Sequence, residues 1–315
     1  RVQEQRDCTS EEREIREFNP GVYAFSAEFL RASIAKLTTH NAQGELYLTD
    51  LVAMAAADGG VAGLTWGVGE LHGINDRAEL VQVERELALR IAREHMRRGV
   101  TIRDPERARI EPGVLIESDV VIEPGVELRG ATRISSGARI DVGCVLIDTI
   151  VHADVELLPY CVSTQSVIGP ASRIGPFAHL RPGTELDRGV HLGNFVETKK
   201  TRIGEGSKAN HLSYLGDGVI GRGVNVGAGT IFCNYDGVNK HTTTLEDGVF
   251  IGSDSQLVAP ITVGKNAYVG TGTTVTQDVP EDALAIGRAR QVNKPGLAAR
   301  LRQRFAAEKA KRTGK

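Results

Sequence analysis

Several polar and charged residues in the second half of the sequence could carry out acid–base chemistry on an anionic substrate. Arg181 follows an aliphatic residue in LRPG, and Lys199 and Lys200 end the segment NFVETKK. In KANHLSYLGD, His211 and Tyr214 lie three positions apart. Imidazole titrates near neutral pH and can accept a proton from a nucleophile, whereas Arg and Lys bind phosphate. Taken alone, the same residues also fit solvated surface charge and a structural histidine.

A third segment, NVGAGTIFCNYDG, places Asn225, Asn234 and Tyr235 around an Asp-Gly turn signal. Because Asn tolerates a left-handed backbone and is common at corners, the residue types leave a structural role open. A catalytic zinc site would need three ligands that converge on one ion. We predict no such site, because the histidines of this region are widely spaced along the chain. They are His179, His191, His211 and His241.

The elements that must hold these residues follow a period of six. Apolar residues, mostly aliphatic, recur with this spacing and a few phase shifts over the second part of the chain. Their positions are Ile110, Ile116, Ile122, Leu128, Ile134, Ile140, Leu146, Ile168, Ile174, Leu180, Leu186, Leu192, Ile203, Ala209, Ile220, Val226, Phe232, Leu245, Ile251, Leu257, Val263, Val269 and Val275. Six is not a multiple of 3.6, and plain strand alternation would not space Gly and Asn turns in this way.

A solenoid accounts for the period. Three hexapeptides, each a short strand and a corner, close one triangular coil whose apolar side chains stack inward in columns. Residues 110–279 would then give about nine coils and a prism roughly 45 Å long. The pattern resembles that of left-handed parallel β-helices, and the handedness rests on this resemblance. The predicted fold class is therefore mainly β, a left-handed parallel β-helix of hexapeptide repeats.

Breaks in the six-residue phase predict inserted residues or loops. The longest, FCNYDGVNKHTTT (Phe232–Thr244), leaves the coil before Leu245 resumes the period. Insertions in repeat proteins usually lie on one face and often line the binding site. We therefore expect this loop beside the functional residues.

The sequence predicts four parts. Residues 1–75 mix strand-like and helical segments, 76–99 form a connector helix, 100–285 form the β-helix and 286–315 form a basic tail. A capping box of Asp76 and Glu79 opens the connector helix. The residues expected on its packed face are Leu80, Val83, Leu87 and Ile91. A solvated helix and a role in holding a phosphorylated ligand both remain open for the tail.

Composition narrows the class of protein. Of 315 residues, 41% are hydrophobic, only 5% are aromatic and 36 are Gly, which is typical of a globular chain rich in small aliphatics and turns. A net charge of −2 argues against a coat for nucleic acid or for an anionic membrane. No long apolar run and no Cys-x-x-Cys occur, so we predict a cytoplasmic protein with reduced thiols. The cysteines are Cys8, Cys144, Cys161 and Cys233.

Longer segments resemble one family closely. These are IGPFAHLRPGTEL, HLGNFVETKKTRIGEGSKANHLSYLGD, VNVGAGTIFCNYDGVNKH and IGSDSQLVAPITVG. They resemble the acetyltransferase half of the bifunctional glucosamine-1-phosphate N-acetyltransferase / N-acetylglucosamine-1-phosphate uridyltransferase family. NAQGELYLTD and GIND resemble the last third of the uridyltransferase domain. The resemblance covers nearly the whole chain.

The resemblance implies transfer of an acetyl group from acetyl-CoA to the 2-amino group of glucosamine 1-phosphate. The product, N-acetylglucosamine 1-phosphate, would serve the synthesis of UDP-N-acetylglucosamine, a precursor of peptidoglycan and lipopolysaccharide. His211 matches the family's base. The residues that match substrate contacts are Arg181, Lys199 and Lys240 for the phosphate, Tyr214 and Asn225 for the sugar, and Asn234 and Tyr235 near the amine and the thioester.

The resemblance also implies a coenzyme site and an assembly. Residues that match acetyl-CoA contacts are Ala228, Asn234, Tyr235, Ser253, Thr271 and Arg288. Thr271 stands where the family often has Ala, which we expect to matter little because that contact would use the backbone. The family forms homotrimers with active sites between subunits, and we expect the same here.

The resemblance implies that residues 1–75 are an incomplete α/β remnant of the uridyltransferase domain. Glu4 and Asn19 match uridyl-sugar contacts, and Asn75 matches a Mg²⁺ ligand of the family's uridyltransferase. The family's Gly-rich cationic loop, which cradles a triphosphate, has no counterpart, so a positive nest for UTP is missing. We expect an N-terminally truncated chain without uridyltransferase activity, in which Mg²⁺ would serve only that half.

Two other functions stay open from the residues. One is a hexapeptide acyltransferase with a different acceptor, which the cations Arg181, Lys199 and Lys240 disfavour if the acceptor lacks phosphate. The other is a scaffold that acts by stacking and has no enzymatic activity. A scaffold would have uniform coils. The inserted loop and its polar neighbours therefore argue against this function.

Overall fold

The computed structural model describes residues 2–67, 71 and 73–313. Its contacts divide the chain into two compact units, Arg1–Glu84 and Arg85–Lys315. None of the described helices combines the length and the apolar character needed to cross a membrane.

The first unit consists of short helices joined by irregular segments. The helices are η1 (Gln5–Asp7), η2 (Glu12–Glu14), α1 (Ala27–Ser33), η3 (Ile34–Lys36) and α2 (Asp50–Ala57), where η marks a 3₁₀-helix. The side chain of Ser26 caps α1 by accepting the backbone N–H of Phe29 at 3.2 Å. The described residues of this unit form no strand. Its strand-like segments are therefore irregular, since a strand needs a paired neighbour.

Helix α3 (Arg77–Arg97) begins where the capping box predicts. Asp76 Oδ1 accepts two N–H groups of the first turn, at 2.8 and 2.9 Å. The expected packed face is covered only in part, because Leu80 and Leu87 are each 41% exposed. The residues that α3 buries are Ala92 and His95.

The second unit is a triangular parallel β-helix, which confirms the solenoid prediction. Its first face consists of β1 (Thr101–Ile102), β4 (Val121–Ile122), β7 (Arg139–Ile140), β10 (Glu156–Leu157), β13 (Arg173–Ile174), the starts of β16 (His191–Lys199) and β18 (Lys208–Gly216), β20 (Asn225–Val226), β23 (Phe250–Ile251), β26 (Tyr268–Val269) and β28 (Leu284–Ala285). The second face consists of β2 (Arg109–Ile110), β5 (Glu127–Arg129), β8 (Val145–Ile147), β11 (Val162–Thr164), β14 (His179–Leu180), the ends of β16 and β18, β21 (Ile231–Cys233), β24 (Gln256–Val258) and β27 (Thr274–Val275). The third face consists of β3 (Leu115–Ile116), β6 (Arg133–Ile134), β9 (Ile150–Val151), β12 (Val167–Ile168), β15 (Glu185–Leu186), β17 (Arg202–Ile203), β19 (Gly218–Ile220), β22 (Thr243–Leu245) and β25 (Ile261–Val263).

The register of the strands explains the period. Ile110 pairs with Leu128 and Ile116 pairs with Ile134, so three hexapeptides make one coil. All the apolar positions of the predicted period are buried and belong to one continuous core. A last helix, α4 (Leu297–Thr313), follows the β-helix.

Several phase breaks shorten a coil, whereas the sequence led us to expect insertions. Ile116 pairs with Ile134, but Ile134 pairs with Val151. The second coil therefore contains one residue fewer than the first. These short corners use single residues with a left-handed backbone, which takes the place of a longer turn. They are Asp148 (φ 48°), Gln165 (φ 44°), Lys200 (φ 45°) and Asp217 (φ 51°). The break after Phe232 is a true insertion, because Ile220 pairs with Leu245 across the protruding loop.

Removal of an inward side chain should cost far more stability than removal of an outward one. Ile122 is 0% exposed, whereas Leu115 is 50% exposed. Ile122→Ala should lower the free energy of unfolding by about 2–5 kcal/mol, and Leu115→Ala by about 0.5 kcal/mol or less. Guanidinium denaturation followed by circular dichroism, at one protein concentration, measures both. Equal losses would contradict the inward columns.

Candidate active site

His211 lies at the corner between the first and second faces, within β18. Its register partner on β16 is Asn194, and His211 Nδ1 is 3.1 Å from Asn194 Oδ1. A carboxamide oxygen can only accept a hydrogen bond, so Nδ1 carries the proton and Nε2 of the neutral ring keeps its lone pair. The imidazole is exposed and can take up a proton at Nε2.

The residues expected to contact acetyl-CoA continue the same corner. The register pairs Lys208 with Asn225, Asn225 with Phe250 and Phe250 with Tyr268. The residues three positions after these four paired residues therefore form one column, which we call the corner row. Its members are His211, Ala228, Ser253 and Thr271. The row is roughly 14 Å long at the usual strand spacing.

Backbone contacts hold the corner row together. The N–H of Asp254 donates to the carbonyl of Ala228 at 2.7 Å, and the next coil repeats the contact from Gly272 to Ser253 at 2.9 Å. At the far end, Arg288 Nη1 donates to the carbonyl of Thr271 at 2.5 Å. The structure therefore brings the expected base and the expected coenzyme residues into one line.

Glycine next to the corner row lets neighbouring coils stack closely. A Cβ on Gly227 would lie 2.6 Å from the carbonyl carbon of Gly252, and one on Gly252 would lie 2.5 Å from the nitrogen of Thr271. Both distances are too short for any side chain, so the coils approach each other closely here.

The expected phosphate-binding cations meet at the next corner, between the second and third faces. Close approach of Lys240 is the main cause that lowers the pKa of Lys199, and partial desolvation and the Arg181 charge add to it. Arg181 Nη1 is also paired with Glu197 Oε1 at 2.7 Å. Like charges held this close disfavour each other's charged forms, so the cluster is suited to bind an anion that relieves the repulsion.

Expected sugar and loop residues lie beside these cations. The amide of Asn234 donates to Asp217 Oδ2 and lies 3.5 Å from the hydroxyl of Tyr214. The Nζ of Lys240 lies 5.8 Å from the ring centroid of Tyr235. The inserted loop is therefore next to the predicted phosphate site, as the sequence led us to expect.

One chain does not bring all the predicted residues together. The corner row and the cations lie at opposite ends of the second face. Lys199 pairs with Gly216 on β18. Gly216 lies five residues after His211, which places their backbones roughly 15 Å apart along the strand. Asn225 lies on the first face, paired with Lys208 and Phe250. The predicted residues thus form two groups, a base with a coenzyme row and a cation cluster with the loop.

Residues that match the family's uridyl-sugar site lie in the first unit. Glu4 Oε1 accepts the hydroxyl of Thr49 at 3.2 Å, and Asn19 contacts the hydroxyl of Tyr23. Asn75 donates its backbone N–H and its amide to Glu79 Oε2, at 2.7 and 3.1 Å.

A Mg²⁺ ion needs several oxygen ligands in octahedral geometry. Among the described residues no group of three or more His, Cys, Asp or Glu side chains comes together. Asn75 with its neighbours in the described part of the chain does not make a complete magnesium site.

Three contact residues were not singled out from the sequence. Asn194 and Glu197 lie within NFVETKK, and Asp217 ends the segment around His211. Their motifs were recognisable, but the contacts with His211, Arg181 and Asn234 depend on which residues stack across coils.

The cation cluster gives a prediction for titration. Replacing Lys240 with Met should raise the pKa of Lys199, because the main cause of its lowered value is removed. Inorganic phosphate should raise it as well, since a dianion favours the ammonium form. NMR titration of ¹³C-labelled lysine measures both shifts, with Lys265→Met as the control. An unchanged Lys199 pKa in Lys240→Met would show that the two amines do not interact.

Comparison with known proteins supports the family resemblance. Residues 242–277 match the family model described as bacterial transferase hexapeptide (six repeats). The chain is 58% identical over 305 residues to the bifunctional protein GlmU of Sorangium cellulosum, covering 96% of this chain and 64% of that protein. The resemblance seen in the sequence is confirmed. GlmU of an Anaeromyxobacter species is 52% identical over 300 residues, with 95% of this chain and 62% of that protein covered.

The chain spans less than two thirds of the length of these GlmU relatives. Among solved structures, the UDP-N-acetylglucosamine acyltransferase of Francisella novicida is 17% identical with a TM-score of 0.43, and 64% of this chain and 73% of that one are covered. The hexapeptide match and the parallel ladders confirm the predicted fold class, a left-handed parallel β-helix of hexapeptide repeats.

Proposed function

We propose that this chain is a cytoplasmic glucosamine-1-phosphate N-acetyltransferase. It transfers acetyl from acetyl-CoA to the 2-amino group of glucosamine 1-phosphate, and the product feeds the synthesis of UDP-N-acetylglucosamine. The high identity to GlmU over almost the whole chain supports this activity. The observation that carries the proposal is the corner row, in which His211 continues the column of Ala228, Ser253 and Thr271.

His211 is the proposed general base. Its Nδ1–H donates to Asn194, which leaves Nε2 to take a proton from the 2-ammonium of the acceptor. The freed amine attacks the carbonyl carbon of the thioester and forms a C–N bond. The nitrogen of the tetrahedral intermediate loses its second proton to water, the C–S bond breaks, and the departing thiolate recovers a proton from the imidazolium. The products are the amide and free coenzyme A.

The remaining groups bind and orient the substrates. Arg181, Lys199 and Lys240 hold the phosphate of the acceptor, and Tyr214 with Asn234 lies where the sugar would continue from it. The extended arm of acetyl-CoA runs along the corner row, and Arg288 at its end meets the phosphates of the coenzyme. Holding both substrates in fixed orientation supplies much of the rate enhancement.

We propose that the site is completed between protomers of a homotrimer. Within one chain, the base and the cations lie at opposite ends of the second face, so a neighbouring chain is needed to bring them to one substrate. An exposed apolar ladder beside His211 also supports an interface there, since such a ladder is unusual on a free surface. In this ladder three aromatic rings stack on one another and a leucine follows them. The exposed fractions are 51% for Tyr160, 48% for Phe177, 56% for Phe195 and 64% for Leu212.

Release of free thiol from acetyl-CoA, with and without glucosamine 1-phosphate, tests the proposed activity. Rapid release only when the acceptor is present supports it. No release at any acceptor concentration would refute it, and release with an acceptor that lacks phosphate but not with glucosamine 1-phosphate would point to a different acyltransferase.

A further inference from the structure

The protruding loop has an ordered internal structure. After β21 the chain passes through Asn234 and Tyr235, turns, and returns at Lys240. Tyr235 and Lys240 form an antiparallel bridge, and the N–H of His241 donates to the carbonyl of Asn234 at 2.8 Å. The loop is thus a small hairpin that places Lys240 at its returning edge.

Asp236 is the centre of this hairpin. Its Oδ1 accepts the backbone N–H groups of Val238 at 2.8 Å and Asn239 at 2.6 Å. Its Oδ2 lies 2.7 Å from His241 Nε2. The contact with His241, together with the two N–H groups, holds the pKa of Asp236 well below its usual range. One carboxylate therefore fastens the tip of the hairpin to its returning edge.

The position of Lys240 depends on these contacts. Its two chain neighbours, Asn239 and His241, both bond to Asp236. Its own side chain projects towards Lys199, whose pKa it lowers. The geometry assigns Asp236 and His241 as a positioning pair that fixes Lys240 in the phosphate site. This inference rests on the proposed function, in which Lys240 binds the phosphate of the acceptor.

Loss of the pair should weaken acceptor binding with little effect on the chemical step. His241→Ala should raise KM for glucosamine 1-phosphate roughly tenfold and change kcat by less than about twofold. His241→Gln should restore most of the affinity, because its amide N–H can reach the position of Nε2. Val238→Ala is the matched control on the same loop, since Val238 is 84% exposed and keeps its backbone donor.

A double-mutant cycle separates positioning from general damage. If His241 acts through Lys240, then His241→Ala should add nothing to the KM of Lys240→Met. Additive effects of the two substitutions would overturn the inference. A rise in KM for acetyl-CoA of the same size would also overturn it, since the pair would then not act on the phosphate site.

Hydrogen exchange tests the pair without any activity. The backbone amides of Val238, Asn239 and residue 241 should exchange faster in His241→Ala than in the parent. In Val238→Ala their exchange rates should equal those of the parent. If the parent shows no acetyl transfer, the proposed function fails, whereas exchange still reports on the pair. Unchanged exchange in His241→Ala would overturn the inference whatever the activity of the parent.

Discussion

Replacing His211 with Ala should lower kcat for acetyl transfer to glucosamine 1-phosphate by a factor of about 10²–10⁴. The acceptor amine is mostly protonated near neutral pH and has no lone pair to attack the thioester. In the proposed mechanism Nε2 of His211 accepts that proton, because Nδ1 donates to Asn194. Stopped assays of free thiol at saturating substrates give kcat for parent and variant.

The variant should fold as the parent does. His211 is exposed, and its strand is held by backbone pairs with β16 that do not involve the imidazole. His152→Ala is the matched control, since His152 is also exposed but follows β9 on the third face. It should keep the parental kcat within about twofold. Imidazole added to the buffer should restore part of the activity of His211→Ala only.

Parental turnover by His211→Ala would remove His211 from the mechanism. Equal losses in His211→Ala and His152→Ala would instead indicate damage to the β-helix. Far-ultraviolet circular dichroism and the thermal midpoint of both variants distinguish these outcomes.

The fold could be predicted because the core repeats. Each inward position of the period is buried, and many of them, such as Ile122 and Leu146, are 0% exposed. A local pattern of six residues suffices, since every coil packs only on its neighbours. The period fades where small hydroxyl side chains fill the column. Thr184 and Thr198 bond to each other at 2.9 Å inside the core, and hydrophobicity alone does not reveal such a pair.

The partner of the base could not be predicted from the period. A coil of three full hexapeptides would set residue 193 opposite His211. The corner at Lys200 is shorter by one residue, so the register brings Asn194 there instead. A one-residue change of this kind moves every contact between the two coils. It depends on backbone conformation at a single left-handed residue.

The site was predicted as one pocket between subunits, and a single chain holds its residues as two groups. The family resemblance grouped Lys240 with Lys199 as expected phosphate-binding residues, and in the structure Lys240 lies close enough to Lys199 to lower its pKa. The motifs carry no information about how far apart two corners of the same face lie. That distance follows from the length of the strands between them, about five residues in β16 and β18.

Glucosamine without a phosphate should be a poor acceptor, with kcat/KM lower by about 10³-fold or more. Three cations meet in the predicted phosphate site, and their mutual repulsion lowers the pKa of Lys199. A phosphate dianion relieves this repulsion and gains charge-assisted hydrogen bonds from Arg181 and both lysines. Glucosamine has no phosphate to bind these cations, so it lacks the binding energy that would otherwise orient its amine.

Substitution of the cations should abolish the discrimination. In Arg181→Met/Lys199→Met, kcat/KM for glucosamine 1-phosphate should fall towards that for glucosamine, while the value for glucosamine changes little. Lys265→Met, which removes a cation from another coil, should keep the parental ratio. If the double variant lost activity equally with both acceptors, the cations would support the fold or the coenzyme. Loss of a bound dianion from three clustered cations must weaken binding. If the parent used both acceptors equally well, the cluster would therefore not bind the phosphate at all.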